Sequence, residues 1–567
     1  MKRIALVMFL MLFVTSPSVA ANFFPLSSVH RGMKGYIRTV IYGTKVSSFK
    51  VEVLGILKRS NGSHLILIKA FPDLVEKTGG IAAGMSGSPL FIDGKIVGAI
   101  GYGWRMADHS LGLVTPIKEM LSVWDWYKER KRRKIEKIRL QQALLYDGRK
   151  YKRLWISEKK VNAPPGTIVM TPVATPIVVS GLSERGKRII SDYLSKIGNF
   201  KIVDVPDDVG ISRRVHLQPG SAIGVEVTKG DINIGAIGTL TYIDHKTNRM
   251  VGFGHPFLLR GDVDYFLTDA FVYQIVKSID IPFKLGVPLK VIGSLVEDRK
   301  KAIGGIIGRF PKSMSVRVVV VDEDHHRVRR YGFRINRDGE LTPVFLSAAL
   351  MSCIDRGWGR IGEGTSKVSF SLIGYGLPMD VKRTNYFWSP KDISKVSVQE
   401  IKDLSILLLR NEYRNVSAES LDVVVNVSKR NRILFIKGAD VKRHGSKLVV
   451  NISLKHFRGG IVRKKVTLSI PKMWDGVPFV VVVRGGGMVG LNPKESKKSA
   501  PKTYKSLKEE LKDFLAGECN NELVVEVFPL VSKMPRGFKD SLKKRVKTGY
   551  YIEGYIEKRF GLPSGKR

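Results

Sequence analysis

Two serines stand in one glycine-rich turn, Gly84-Met85-Ser86-Gly87-Ser88-Pro89, soon after Thr78-Gly79-Gly80. A serine hydroxyl attacks a carbonyl only when a base removes its proton and donors receive the negative oxygen. Glycine at 84 and 87 permits backbone conformations closed to other residues. In such a turn the N–H groups of Gly84 and Ser86 can converge on one point, the geometry of an oxyanion hole. Ser86 is therefore the candidate nucleophile. Ser88, against Pro89 and the start of a strand, is expected to bond locally and hold the turn. The competing reading is a tight turn that only joins two strands. A base must come from elsewhere in the chain. His109 is nearest in sequence but sits in a loop, and His216, His245 and the pair His325-His326 read as surface or turn residues. None has metal-ligand spacing with a partner, so neither a metal nor a cofactor is expected. Glycine runs at 304–305 and 485–487 read as turns rather than phosphate loops.

Short strands must carry this turn. Residues 22–120 are rich in β-branched residues, and Asp93-Gly94 between two apolar runs signals a two-residue hairpin. Residues 117–147 have helical texture and include the basic run Lys128–Arg139, which reads as a solvated helix face. Residues 163–210 read as a small α/β insert, with Ser183 capping a helix that ends before Gly198. β texture returns from His216 to about Leu377. It is interrupted by a loop or helix at Asp280–Leu289 and a helix at Thr342–Cys353. A helical connector at 386–410, an immunoglobulin-like alternation at 420–486, a polar linker at 492–502, and a last helix with two late strands complete the chain.

The stretch "EKTGGIAAGMSGSPLFIDGKIVGAI" resembles the nucleophile segment of the SpoIVB-type serine peptidases, and its turn is also similar to that of trypsin-like proteases. The resemblance implies that Ser86 is the nucleophile. "GTLTYIDHKTNRMVGFGHPF" resembles the family's histidine segment, which implies His255 as the base; the bland alternative is a turn histidine at a strand end. Asp73 matches the family's third residue, at a spacing to Ser86 shorter by two, and Asp262 and Asp264 are local competitors. The likeness covers roughly 22–120 and 216–300. Two departures stand out: the serine precedes the histidine by 169 residues, the reverse of the family order, and no PDZ module is found. A catalytic set is defined by geometry rather than chain order. The implied fold is mainly β, a trypsin-like double β-barrel with permuted halves.

Length and composition bound the rest. At 567 residues the chain is too long for one core. The expected division is a leader at 1–20, a serine-bearing half-barrel at 21–122 and a basic helical linker at 123–162. An α/β insert at 163–215, a histidine-bearing half-barrel with extension at 216–385, a β-sandwich at 386–490 and a linker with a small α+β domain at 491–567 follow. Lys2, Arg3, the apolar run Ile4–Val14 and Ser18-Val19-Ala20 have the form of a cleavable secretory signal, which points to a periplasmic or extracellular place. Only Cys353 and Cys519 occur, so no disulfide framework exists. The net charge of +44 attracts polyanions, but no nucleic-acid signature accompanies it; anionic lipid or envelope polymer is the expected contact. The chain thus reads as an exported serine endopeptidase acting on protein or peptide, with self-processing as one use. A catalytically silent envelope scaffold is the alternative.

Overall fold

A computed structural model describes residues 23–59, 62–104, 109–125, 135–146, 148–157, 161–172, 176–198, 200–206, 215–488, 503–530 and 541–561. The expected leader and most of the basic run lie outside these residues.

The first six strands are β1 (Lys34–Val40), β2 (Val46–Lys58), β3 (His64–Ala70), β4 (Pro89–Ile92), β5 (Lys95–Trp104) and β6 (Leu111–Pro116). They pair in the order β1-β2-β3-β6-β5-β4, and β4 returns to β1, closing a barrel. The Asp93-Gly94 turn is as expected: both residues have positive φ, 50° and 73°, which matches the twist of the hairpin Ile92↔Lys95. Between β3 and β4 run helix α1 (Pro72–Thr78) and the glycine turn. Ile37, Ile66, Ile68, Leu90, Ile100 and Val114 fill the interior.

After the short helix α2 (Ile117–Leu121) the expected helical linker is replaced by a hairpin, β7 (Ile135–Tyr146) and β8 (Arg149–Ser157). Strand β9 (Thr167–Pro172) joins β8 to β5. Ile138, Leu154, Ile156 and Ile168 pack with Leu65 and Leu113 in one core, and that burial outweighs the helix-forming composition of the segment. The expected α/β insert is likewise not a separate layer. Strand β10 (Ile177–Ser180) pairs in the second sheet with β11 (Ile202–Asp204). Helix α3 (Glu184–Ile197), capped by Ser183 as expected, packs on that sheet's core.

The second barrel is built from β12 (Ala222–Gly230), β13 (Asn233–Asp244), β14 (Arg249–Gly252), β15 (Gly261–Val276), β16 (Phe283–Arg299) and β17 (Ala302–Ile307). These close in the order β12-β13-β14-β17-β16-β15 and back to β12. Counted within each barrel, both follow the circuit one-two-three-six-five-four, a duplication that the sequence does not display. Strand β16 occupies the stretch expected as loop or helix at 280–289; Gly286 and Val287 pair there with β15.

From β12 the sheet continues through β19 (Arg327–Asn336) and β18 (Ser313–Asp322) to the later strands β22, β20 and β21. These are β20 (Gly364–Tyr375), β21 (Val381–Ser389) and β22 (Ser417–Ser428), and the apolar helix α4 (Leu341–Trp358) covers the sheet. Helices α5 (Ile393–Ser397) and α6 (Gln399–Arg410) form the expected connector. The C-terminal region differs from the sequence reading. Strands β23 (Ile433–His444), β24 (Lys447–His456), β25 (Ile461–Ser469) and β29 (Tyr551–Glu553) form one sheet. Strands β26 (Phe479–Gly485), β27 (Glu522–Pro529), β28 (Leu542–Lys547) and β30 (Tyr555–Phe560) form another. Both share the core around Trp474, Val481 and Val525. The late strands complete the sandwich instead of making a small domain, because β26 is apolar on both faces and needs partners on both edges. Helix α7 (Leu507–Ala516) docks beside β21 and adds Leu507 and Leu511 to the core that the second barrel shares with its extension. Cys353 and Cys519 are both free thiols.

Candidate active site

Ser86 lies between the third and fourth strands of the first barrel, and His255 lies between the third and fourth strands of the second. Equivalent loops of two like barrels therefore face each other. Exchanging the barrels' order along the chain leaves such a pair of loops in place, which is how the serine can come first.

The serine turn is gripped by the second barrel. The carbonyls of Gly84, Ser86 and Gly87 accept, in turn, from Thr239 Oγ1 at 3.0 Å, Thr239 N–H at 2.9 Å and Thr241 Oγ1 at 2.7 Å. Thr239 and Thr241 are the two threonines of the "GTLT" stretch. From the other side, Thr115 Oγ1 of the first barrel donates to the Gly254 carbonyl at 2.7 Å, holding the peptide that precedes His255. Contact this close requires glycine. Gly87 has φ +88°, and a Cβ there would stand 2.0 Å from the Thr239 carbonyl oxygen and 2.4 Å from the Phe253 nitrogen.

The turn also aims the donors. In a trans peptide the N–H points opposite to the C=O. The Ala83 carbonyl accepts from the Lys284 N–H at 2.8 Å, so the Gly84 N–H of the same peptide is directed away from β16. The Met85 carbonyl accepts from the Ser88 N–H at 2.9 Å, so the Ser86 N–H is turned outward too. The peptide between them is held at both ends, by Thr239 on the Gly84 oxygen and by the Met85 N–H donating to Ala82 at 2.9 Å. Ser88 is buried, with its backbone in this turn, but its Oγ reaches out of the turn to Thr239 Oγ1 of the second barrel at 3.5 Å instead of bonding locally.

His255 is buried, and its Nδ1 lies 2.6 Å from the Pro256 carbonyl oxygen. A carbonyl only accepts, so Nδ1 carries the hydrogen, and in the neutral ring Nε2 keeps the lone pair that a general base needs. Two residues earlier Phe253 has φ +66°, a conformation costly for a bulky side chain, of the kind that concentrates at functional loops.

The expected third residue does not orient the imidazole. Asp73 is exposed in the first turn of α1, and the group on Nδ1 is a backbone carbonyl. Asp262 pairs with Arg299, and Asp264 accepts from Ser294 Oγ and the Lys312 N–H. His109 is no rival base: its ring nitrogens lie on the carbonyls of Trp104 and Ile279, at 2.9 and 3.2 Å.

Two buried ionisable residues at the site escaped the sequence reading. Asp298, at the end of β16, accepts the N–H groups of Phe257, Leu258 and Arg260 at 2.7, 2.8 and 3.0 Å, closing the loop that follows His255. Burial pushes its carboxyl up to about 6, against the downward pull of the three donors. Lys284, fully buried on β16, lies against the serine turn, and burial brings its amine down to about 7. Neither carries a motif; only pairing of β16 with both loops reveals them.

Ser86 is fully buried and His255 nearly so. No helix among the described residues is long and apolar enough to cross a membrane. No curated protein and no solved structure matches the chain. Residues 20–121, which hold the serine turn and the whole first barrel, match the family described as SpoIVB peptidase S55.

Proposed function

We propose that the two barrels form a serine peptidase whose nucleophile is Ser86 and whose base is His255. His255 Nε2 accepts the Ser86 proton as Oγ attacks a peptide carbonyl; the oxyanion is held by the N–H groups of Gly84 and Ser86. The protonated imidazole then returns the proton to the leaving amine, and water hydrolyses the acyl-enzyme with His255 again as base. The observation that carries this reading is the facing of equivalent loops, with the peptides around Ser86 and His255 held across the barrel interface by Thr239, Thr241 and Thr115. The substrate is protein or peptide. The N-terminal signal pattern supports action outside the cytoplasm, and the positive charge supports contact with anionic envelope surfaces.

The test is labelling of the mature protein with a fluorophosphonate, followed by peptide mapping. Label is expected on the Ser86 peptide, retained in Ser88→Ala and lost in Ser86→Ala and His255→Ala. Full burial of Ser86 favours a second reading, a catalytically silent peptidase-like scaffold. Absence of labelling and of any cleavage by folded protein supports that reading.

A further inference from the structure

Lys284 enters β16 where that strand runs beside the serine turn. Its main chain bonds to Ala83, and its side chain lies along Gly84: a Cβ on Gly84 would meet Lys284 Cβ, Cγ and Cδ at 3.0, 3.1 and 3.2 Å. The amine ends between the barrels. Nζ is 2.9 Å from Thr39 Oγ1 on β1 and 3.1 Å from Thr239 Oγ1 on β13. Thr239 spends its single hydroxyl hydrogen on the Gly84 carbonyl at 3.0 Å, so it receives the lysine on a lone pair. The result is a directed chain, Lys284 Nζ–H to Thr239 Oγ–H to the Gly84 oxygen.

A buried amine without a carboxylate is costly, so its retention calls for a reason. Burial alone accounts for the lowering of its pKa, with no charged neighbour contributing. A neutral amine has two N–H donors, which match the two threonine acceptors, and it can donate to both without an ammonium's third hydrogen. Because Gly84 contributes one oxyanion donor and adjoins the peptide whose rotation would misplace the other, whatever fixes the Gly84 carbonyl fixes the hole.

We infer that Lys284 is a positioning residue of the peptidase, which sets the Gly84–Ser86 turn for oxyanion binding by orienting the Thr239 hydroxyl from within the barrel interface. This rests on the proposed Ser86 chemistry. A lysine at this place also joins the two barrels, since Thr39 belongs to the first and Thr239 to the second. The turn is thus in its working form only when the barrels are docked.

The experiment measures fluorophosphonate labelling of Ser86 in the full-length mature protein, separating the limiting rate (kinact), the inhibitor concentration at half-rate (KI) and the fraction labelled. Lys284→Met keeps the aliphatic stem and removes the donor. It is expected to lower kinact about 10- to 100-fold, less than or comparable to loss of a whole oxyanion donor, with KI and the labelled fraction unchanged. Thr239→Val should do the same, and Thr239→Ser, which restores the hydroxyl, should stay within about threefold of wild type. The double variant Lys284→Met/Thr239→Val should be no slower than the worse single, because one chain is cut twice. Misfolding would lower the labelled fraction rather than kinact. If Lys284→Met does not fold, the Thr239→Val and Thr239→Ser pair carries the same expectation. Wild-type kinact in Lys284→Met, or multiplied losses in the double variant, would overturn the assignment. A folded wild-type protein that takes no label at Ser86 removes the peptidase reading itself, and the role of Lys284 with it.

Discussion

Consider Asp298→Ala. The carboxylate sits fully buried at the end of β16 and takes three N–H groups, two on Oδ2 and one on Oδ1, from the loop that begins at His255. A hydrogen bond to a charged group contributes roughly 1.5–3 kcal/mol, and a donor left buried without a partner costs about 1–3 kcal/mol. Three such bonds are not additive, because the loop can shift and water can enter the space left by the side chain. A net loss of roughly 3–5 kcal/mol in holding this loop is the reasonable scale. Asn is a poor substitute: its amide oxygen can serve one side, while its NH2 group then faces N–H donors on the other. The loss should be local. Hydrogen exchange should show the Phe257–Arg260 amides protected in wild type and opening at least about 100-fold more easily in Asp298→Ala, since 1.4 kcal/mol is a factor of ten. Fluorophosphonate labelling of Ser86 should slow in parallel, while exchange in the C-terminal sandwich stays as it was. Unchanged protection at 257–260 in the folded variant would refute the claim that Asp298 holds the histidine loop.

Two further outcomes follow from the same interface. Gly87→Ala combines a left-handed φ of +88° with a Cβ 2.0 Å from the Thr239 oxygen; strain and overpacking together should cost roughly 3–5 kcal/mol and abolish labelling, read by thermal unfolding and probe uptake. For Lys284, the folded amine titrates at about 7 and the unfolded one at the model-peptide value of 10.5, so between these values the unfolded chain binds more protons and stability rises with pH. The stability of wild type relative to Lys284→Met should therefore increase from pH 7 to pH 9, by at most about 1.4 kcal/mol per pH unit, in the melting of the barrels; a difference flat over that range would contradict it.

The sequence by itself carried the local signals. Alternation and the Asp93-Gly94 turn gave the strands of the first barrel, Ser183 gave the cap of α3, and the spacing of Gly84, Ser86 and Gly87 singled out the serine turn. Each depends on residues within a few positions of one another, where backbone conformation and side-chain chemistry are coupled directly. Pairing partners were not legible. The segment 135–157 has helix-forming composition and becomes a hairpin because Ile138 and Leu154 find a core contributed by β3 and β6. The stretch 280–289 becomes strand because β15 lies beside it. The last strands join the sandwich because β26 needs both edges covered. The site divides the same way. Ser86 and His255 were visible as motifs, whereas Asp73, chosen by spacing, lies exposed, and the groups that hold the serine and histidine loops are Asp298, Lys284, Thr239 and Thr115, each far in sequence from the loop it serves. Only closure of two barrels with the same strand order brings those residues to the loops, because a hydrogen bond is fixed by position in space and leaves no mark in the spacing of the chain.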